Sequence, residues 1–467
     1  MSMRVRFAPS PTGSLHLGGV RTALYNFLLA KKNGGAFVIR VEDTDLERNQ
    51  QGAENNQLAD LAWLGIEADE GPNNPGDYGP YYQSKRQDIY QQHAETLVKE
   101  GKAFYCFLTD AELDALHSHE NRQLKSPYRD TSLEEAQAKI DAGESCVIRF
   151  KNNWDDRVFQ FDDLVHGTTE LAGDMVGDFV LIRSNKQPVY NFCCAVDDHL
   201  MAISHVLRGE EHLSNTLRQL MIYDAFGWDI PQFGHLSMIL GANRKKLSKR
   251  DDAVSVKDFV SSGYLPQAIL NYVALLGWSH SDGEEKFTLD EMISSFTLDR
   301  VNKSPAMFDR DKLNWLNHYH LNQYRSEEVA QALQDISSSP LLNDTVWFEQ
   351  FWTLIGHQFH TLLEVNDTLA FFEQHEIRDK ELLLGEGRDV VTTFQGILSN
   401  ESNYSEEAFL SAMKATGEQM GVKGKRLFAP IRVALIGIQS GMELKVIGAL
   451  MTKDQVLERI NAALLVG

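Results

Sequence analysis

Several absences narrow this sequence before any motif is read. No apolar run approaches the roughly 20 residues of a membrane-spanning helix, and the start carries no apolar signal core. A cytoplasmic chain with no membrane partner is therefore expected. Cysteine is scarce: Cys106, Cys146, Cys193 and Cys194 are the only four in 467 residues. Two are adjacent and two solitary, so no C-x-x-C knuckle is available for a metal, and buried, reduced thiols are expected. Positive charge is in deficit, with 45 Lys and Arg against 66 Asp and Glu and a net charge of −21. Such a balance argues neither for nor against a nucleic-acid partner, since affinity for phosphate depends on local basic surface, but it requires that basic residues cluster somewhere. Internal repeats and low-complexity tracts are missing, as are the Walker A and dinucleotide-binding glycine patterns.

What is present is an ordinary globular composition, 43% hydrophobic, which supplies ample core, and a length that suggests two to four domains. The most informative stretch lies near the start: Pro9-Ser10-Pro11-Thr12-Gly13-Ser14-Leu15-His16-Leu17-Gly18-Gly19. It follows a strand-like run, Val5–Ala8, and precedes a segment with Val20, Leu24, Phe27 and Leu28 at helical spacing, closed by Gly34-Gly35. Strand, Gly/Pro/Ser loop and helix N-terminus in that order make an anion site, because unpaired N–H groups and the positive end of the helix dipole converge there. His16 stands at its mouth, and Gly18 and Gly19 leave room for a flat group such as a purine.

Phe37–Val41 reads as a second buried strand, with Glu42-Asp43-Thr44-Asp45 at its ligand-facing end, followed by helical segments over Leu58–Leu64 and Ile89–Val98. From about Phe104 to Tyr190 the texture changes to an α+β insertion. Thr109 with Glu112 and Ser132 with Glu135 are spaced as capping boxes there, and strand-like runs cover Cys146–Phe150, Val158–Phe161 and Phe179–Arg183. The α/β pattern resumes with strands over Ile203–Leu207 and Phe233–Leu240 around a helix Thr216–Phe226 with Asn215 as its cap. A basic loop follows, Gly241 to Arg250. Beyond Asp251 the periodicity is almost wholly helical, as in Leu270–Leu276, Met292–Phe296 and Trp347–Leu363. The fold class expected is α/β: a doubly wound, Rossmann-type domain with an α+β insertion, then all-α C-terminal domains.

His16-Leu17-Gly18-Gly19 resembles the H-I-G-H signature of class I aminoacyl-tRNA synthetases. The longer run with Pro9-Ser10-Pro11-Thr12-Gly13 is similar to the glutamyl branch, and Lys246-Leu247-Ser248-Lys249-Arg250 resembles the second signature, K-M-S-K-S, in its K-[ML]-S-K-R form. Glutamine-specific relatives usually keep H-I-G-H and end in β-barrels, whereas this chain has H-L-G-G and a helical tail. The resemblance implies that a carboxylate attacks the α-phosphorus of ATP, expelling pyrophosphate, and that the terminal ribose of tRNA then takes the acyl group. No protein nucleophile is required, so catalysis falls to positioning and to cations that meet charge growing on the leaving group.

The same resemblance assigns residues. His16, Lys246 and Lys249 carry the catalytic roles, and ATP is held by these with Gly18, Gly19, Leu247, Ser248 and Arg250, Gly241 serving as a hinge. Glutamate is held by Arg6, Ala8, Ser10, Glu42, Tyr190 and Arg208, with Arg208 reading the side-chain carboxylate and Glu42 the ammonium. On residue type alone Arg208 and Glu42 would equally form a structural ion pair, and His212 is left without a role. Mg²⁺ accompanies ATP, and no structural zinc is expected, since the neighbourhood of Cys106 holds a single cysteine. The nucleic-acid partner implied is tRNA(Glu) and not DNA, and Asp45 is expected among the residues that bind it. Gln358 and the basic group Lys423, Lys425, Arg426 and Arg432, with Phe428 interleaved for stacking, serve as anticodon reader. A monomer is expected, divided at 1–104, 105–190 (acceptor-end insertion), 191–250, 251–320 (stem contact) and 321–467 (anticodon). Two rivals stay open: a paralogue that glutamylates a tRNA base, which would lack the long tail, and a non-catalytic tRNA-binding regulator.

Overall fold

A computed structural model describes residues 2–45, 47–117, 125–154, 156–247 and 254–466. Ser248, Lys249 and Arg250 lie outside the described residues. The chain divides into two compact units, one of Met1–Phe259 with Pro266–Leu313, the other of Val260–Leu265 with Asn314–Gly467.

The first unit is built on β1 (Arg4–Phe7) and β2 (Ala36–Ile39), which pair in parallel. The chain then leaves this sheet. β3 (Ala103–Cys106), β4 (Val147–Phe150) and β7 (Val180–Ile182) form an antiparallel sheet, while β5 (Val158–Asp163) and β6 (Gly167–Ala172) make a separate hairpin. It returns as β8 (His205–Gly209) and β9 (Gln232–Leu236), giving a four-stranded parallel sheet in the order β2-β1-β8-β9.

Register sorts the side chains of that sheet into two faces. Val5 lies beside Phe37 and His205, and Phe37 meets Phe27 of the helix Leu17–Lys32 edge-on at 5.8 Å. On the other face Arg6 lies beside Val38, Val206 beside Phe233, and Arg208 beside His235. Val38, Val206 and Phe233 join Phe192 and Leu217, from the helices Tyr190–Leu200 and Leu213–Phe226, in one apolar cluster. Both faces are therefore covered, as a parallel sheet requires. Of the polar side chains on the second face, Arg4 lies at the start of β1, while Arg6, Arg208 and His235 stand toward the other strand ends, where the apolar packing stops.

Three local readings of the sequence are corrected. The strand expected over Phe233–Leu240 stops at Leu236, and β10 (Ile239–Leu240) pairs instead with β11 (Ala306–Met307). The backbone is diverted because the Ser237 carbonyl accepts from the Arg21 guanidinium and the Met238 N–H donates to Glu210 Oε1 at 2.9 Å. Asn215 is not a helix cap: the helix starts at Leu213, and the Asn215 amide engages Asn191 and His212 instead. Cys146 is only half-buried, whereas Cys106, Cys193 and Cys194 are buried, and all four are free thiols.

The second unit contains no strand among its described residues. The helical periodicity over Trp347–Leu363 breaks: Thr345–Ile355 ends at Gly356, where a side chain would run into the Trp352 ring, and Thr361 caps a new helix, Leu362–Glu373. Its core gathers Phe394, Phe409, Leu427, Ile431 and Ile447. No helix among the described residues is long and apolar enough to cross a membrane.

Candidate active site

The chain runs from β1 to β2 on one side of the sheet and from β8 to β9 on the other, so strand order reverses between β1 and β8. Open parallel sheets bind ligands beyond the strand ends at such a point. A cavity of about 620 Å³ opens there. It is lined by Arg6, Ala8, Ser10, His16, Gly18, Gly19, Glu42, Asp45, Tyr190, Arg208, Lys246 and Leu247, residues singled out in the sequence and scattered over some 240 positions.

His16 caps the helix Leu17–Lys32, its Nδ1 accepting from the Gly19 N–H at 3.2 Å. With Nδ1 occupied as an acceptor, Nε2 is the nitrogen left to carry a proton. In the direction a side chain would take, the glycines are closed in by the protein: a Cβ on Gly19 would lie 2.8 Å from Leu15 Cδ1, and one on Gly18 would lie 3.3 Å from the His16 ring. These glycines therefore seat His16 as well as lining the cavity. The loop is pinned to the segment beyond the basic motif, since Leu17 N–H donates to Val254 at 3.1 Å and Val256 N–H to Leu15 at 3.0 Å. The basic motif begins on a tight hairpin closed by Gly241 N–H to Lys245 (2.9 Å) and Leu247 N–H to Ile239 (3.0 Å), and Lys246 Nζ stands 3.6 Å from Glu211.

Below the cavity floor lies a buried charge network invisible to local motifs. Arg6 Nε donates to Asp198 at 3.1 Å, and Arg40 donates to Asp198 at 2.7 Å and to Glu42 at 3.1 Å. Asp197 is held by Arg86 at 2.7 Å, Gln83 at 2.9 Å and the Tyr90 hydroxyl at 2.8 Å. Burial pushes the Asp198 carboxyl up, but Arg40 and Arg6 outweigh it and hold it below its ordinary range. For Glu42 burial wins against Arg40 and Arg6, and its carboxyl is raised. Arg6, Arg40 and Arg86 thus balance Glu42, Asp197 and Asp198.

Arg208 does not join that balance. Only 4% exposed, it donates from Nη1 to Gln219 at 2.9 Å, from Nη2 to Thr216 at 2.7 Å and from Nε to His235 Nε2 at 3.2 Å. No described carboxylate lies within ion-pair distance of it, so the Arg208–Glu42 ion pair does not form. A buried guanidinium without a counter-charge, bordering a cavity, is built to receive an anion. Beside it the Tyr190 hydroxyl reaches His212 Nδ1 at 3.1 Å, and burial together with Arg208 lowers the His212 imidazole to about 4. His212 is therefore neutral at pH 7 and lines the same cavity.

Among residues not foreseen, Arg40, Asp197, Asp198 and His235 carried one sequence signal: charges or polar rings within otherwise apolar runs, which must find partners when buried. Asp45 lies at the cavity edge in an ion pair with Arg48 at 2.6 Å.

In the second unit the expected basic cluster is only partly available. Arg426 is paired with Glu386, and Arg432 is spent on the backbone carbonyls of Gln439 (2.9 Å) and Met442 (3.1 Å). Lys423 and Lys425 stay exposed beside Phe428, 41% exposed, and Lys423 and Phe428 border a cavity of about 650 Å³. Gln358 is exposed, next to the buried Phe359.

Residues 2–315 match the family described as tRNA synthetases class I (E and Q), catalytic domain, and residues 324–464 match an anticodon binding domain. A glutamate–tRNA ligase from Bdellovibrio bacteriovorus is 43% identical, covering 99% of this chain and 98% of its own. One from Bacillus subtilis is 39% identical over 98% and 99%. A crystal structure of a glutamate tRNA ligase from Elizabethkingia meningosepticum, in complex with its amino acid, superposes with a TM-score of 0.86 at 31% identity. It covers 100% of this chain and 99% of that one.

Proposed function

We propose, on the premise that this chain belongs to the class I tRNA synthetases of the glutamate and glutamine family, the following division of labour in its cavity. The reaction is that of a glutamate–tRNA ligase: glutamate and ATP give glutamyl-adenylate and pyrophosphate, and the glutamyl group passes to tRNA. Full-length similarity, with the anticodon-binding match included, favours this over a paralogue lacking the tail.

The observation that carries the site assignment is Arg208, the buried cation without a carboxylate, which takes the side-chain carboxylate of glutamate. Arg6 stands beside it, already neutralised by Asp198, and adds donors without adding net charge. Glu42, tied to Arg40 through Oε1, has Oε2 for the α-ammonium, and Ser10 and Tyr190 close the pocket. ATP, entering with Mg²⁺ as part of the substrate, lies along Gly18 and Gly19 with its phosphates toward His16 Nε2 and the helix N-terminus. Lys246 exchanges Glu211 for the departing pyrophosphate, and Lys249 acts with it; both meet charge that exists only in the transition state. Residues 105–190 hold the acceptor end with Asp45, residues 251–320 meet the stem, and the helices of 321–467 read the anticodon through Gln358, Lys423, Lys425 and Phe428. The protein works in the cytoplasm as a monomer.

Exchange of labelled pyrophosphate into ATP, with tRNA present, tests the pocket. Glutamate is expected to support exchange, while glutamine, which cannot neutralise Arg208, supports it at least about 10³-fold less well. Equal exchange with glutamine would overturn the assignment. His16→Asn, which keeps an acceptor for the Gly19 N–H but whose shorter amide donor does not reach the place of Nε2, is expected to lower kcat about 10²-fold. The KM for glutamate and the thermal midpoint should stay close to those of the parent, which steady-state kinetics and calorimetry check.

A further inference from the structure

One polar chain leads away from Arg208 to His235 and Asp163, which do not line the cavity. His235 Nε2 accepts from Arg208 Nε at 3.2 Å and lies 3.1 Å from the Thr216 hydroxyl. Its Nδ1 lies 2.5 Å from Asp163 Oδ2, and both side chains are fully buried. Asp163 is itself held by the backbone N–H groups of Val165 and His166, each at 2.9 Å. It ends β5, so the carboxylate arrives from the insertion hairpin rather than from the sheet that carries Arg208.

The order of these groups fixes the proton. Arg208 is only a donor, so Nε2 must be the bare nitrogen and Nδ1 must carry the hydrogen. The Asp163 carboxylate, acceptor-only, selects that tautomer, in the way a second partner fixes a metal-bound or catalytic imidazole. In the other tautomer an N–H would face the Arg208 N–H, and the guanidinium would turn or lose its third anchor. With Gln219, Thr216 and His235 each taking one N–H, one N–H remains on each terminal nitrogen, a pair suited to the two oxygens of a carboxylate.

We propose that Asp163 and His235 are positioning residues of the amino-acid site, setting the plane of Arg208 through the tautomer of His235. This rests on the reading of Arg208 as the group that takes the glutamate side chain. The insertion hairpin is then a structural part of the amino-acid pocket, and Arg208 is set only when the hairpin is seated.

The test uses the full chain with tRNA present, measuring KM for glutamate, KM for ATP and kcat by pyrophosphate exchange, with thermal midpoints alongside. Asp163→Asn presents an amide that can stabilise the wrong tautomer, and is expected to raise the glutamate KM about 10- to 100-fold while KM for ATP stays within about twofold. His235→Gln offers an acceptor to Arg208 and a donor to Asp163 without tautomers, and is expected to stay within about threefold of the parent. In that background Asp163→Asn should lose most of its effect. His235→Leu, which removes the acceptor, should match Asp163→Asn, and its contrast with His235→Gln carries the test if Asp163→Asn does not fold. A purely structural role would instead give falls in stability and in both substrates' parameters alike. Arg208→Lys is the reference: if it raises the glutamate KM and none of the Asp163 and His235 variants does, the dyad proposal is wrong and the pocket stands. If Arg208→Lys itself leaves that KM unchanged, the pocket assignment fails first.

Discussion

Arg208→Gln is expected to lower kcat/KM for glutamate by about 10³-fold or more while leaving the fold intact. Removing one member of a desolvated, hydrogen-bonded charge pair costs about 2–5 kcal/mol, and each 1.4 kcal/mol is tenfold. The free protein tolerates the change because no carboxylate is left behind unpaired; Gln219, Thr216 and His235 lose one donor each. Arg208→Lys should recover little, since a single ammonium cannot match both carboxylate oxygens in a fixed plane. Steady-state kinetics with glutamate, read beside a thermal midpoint shifted by only a few degrees, checks both halves. Retention of glutamate affinity in Arg208→Gln would place the side-chain carboxylate elsewhere.

Asp198→Asn is expected to do the reverse, destabilising the protein first and catalysis through it. Asp198 lies between Arg6 and Arg40, all three nearly inaccessible to water. Breaking a buried pair by removing one partner costs about 3–5 kcal/mol, because the remaining charge is left uncompensated. Here the leftover excess falls on two guanidinium groups. The pH dependence has a definite sign. Since the folded Asp198 carboxyl sits below its unfolded value, its contribution is complete above about pH 4 and is lost as pH falls through the folded value. Glu42 acts oppositely, because its raised carboxyl takes up a proton more readily in the folded state. Denaturant midpoints between pH 3 and pH 7 should therefore show an acid-side loss in the parent that is diminished in Asp198→Asn. An unchanged midpoint at pH 7 would contradict the network.

How legible the site was depends on distance along the chain. The loop Pro9–Gly19 and the motif from Lys246 state their chemistry locally, because glycines, a capping histidine and adjacent lysines act through backbone and side chains a few positions apart. Arg208 was legible as a cation ending a strand, but whether it pairs with Glu42 depends on register and burial. Only the folded contacts show Glu42 going to Arg40 and Arg208 going to Gln219, Thr216 and His235. Asp198 meets Arg40 across 158 positions, a separation no periodicity encodes. The breaks after Leu236 and Ile355 escaped because apolar periodicity continues through both: a long-range contact from Arg21 to the Ser237 carbonyl accompanies the first, and the Trp352 ring lies over Gly356, four residues on, at the second. In the helical unit, composition located the basic patch but could not tell a free cation from Arg432, spent on carbonyls ten residues or fewer away.

The most direct measurement is attachment of labelled glutamate to purified glutamate and glutamine tRNAs with ATP and Mg²⁺, comparing the intact protein with Lys249→Ala. Charging of the glutamate tRNA is expected, falling about 10²-fold or more in the variant as the leaving-group cation is lost. Failure to charge either tRNA, with tight tRNA binding retained, would contradict the ligase reaction and leave a protein that only binds RNA.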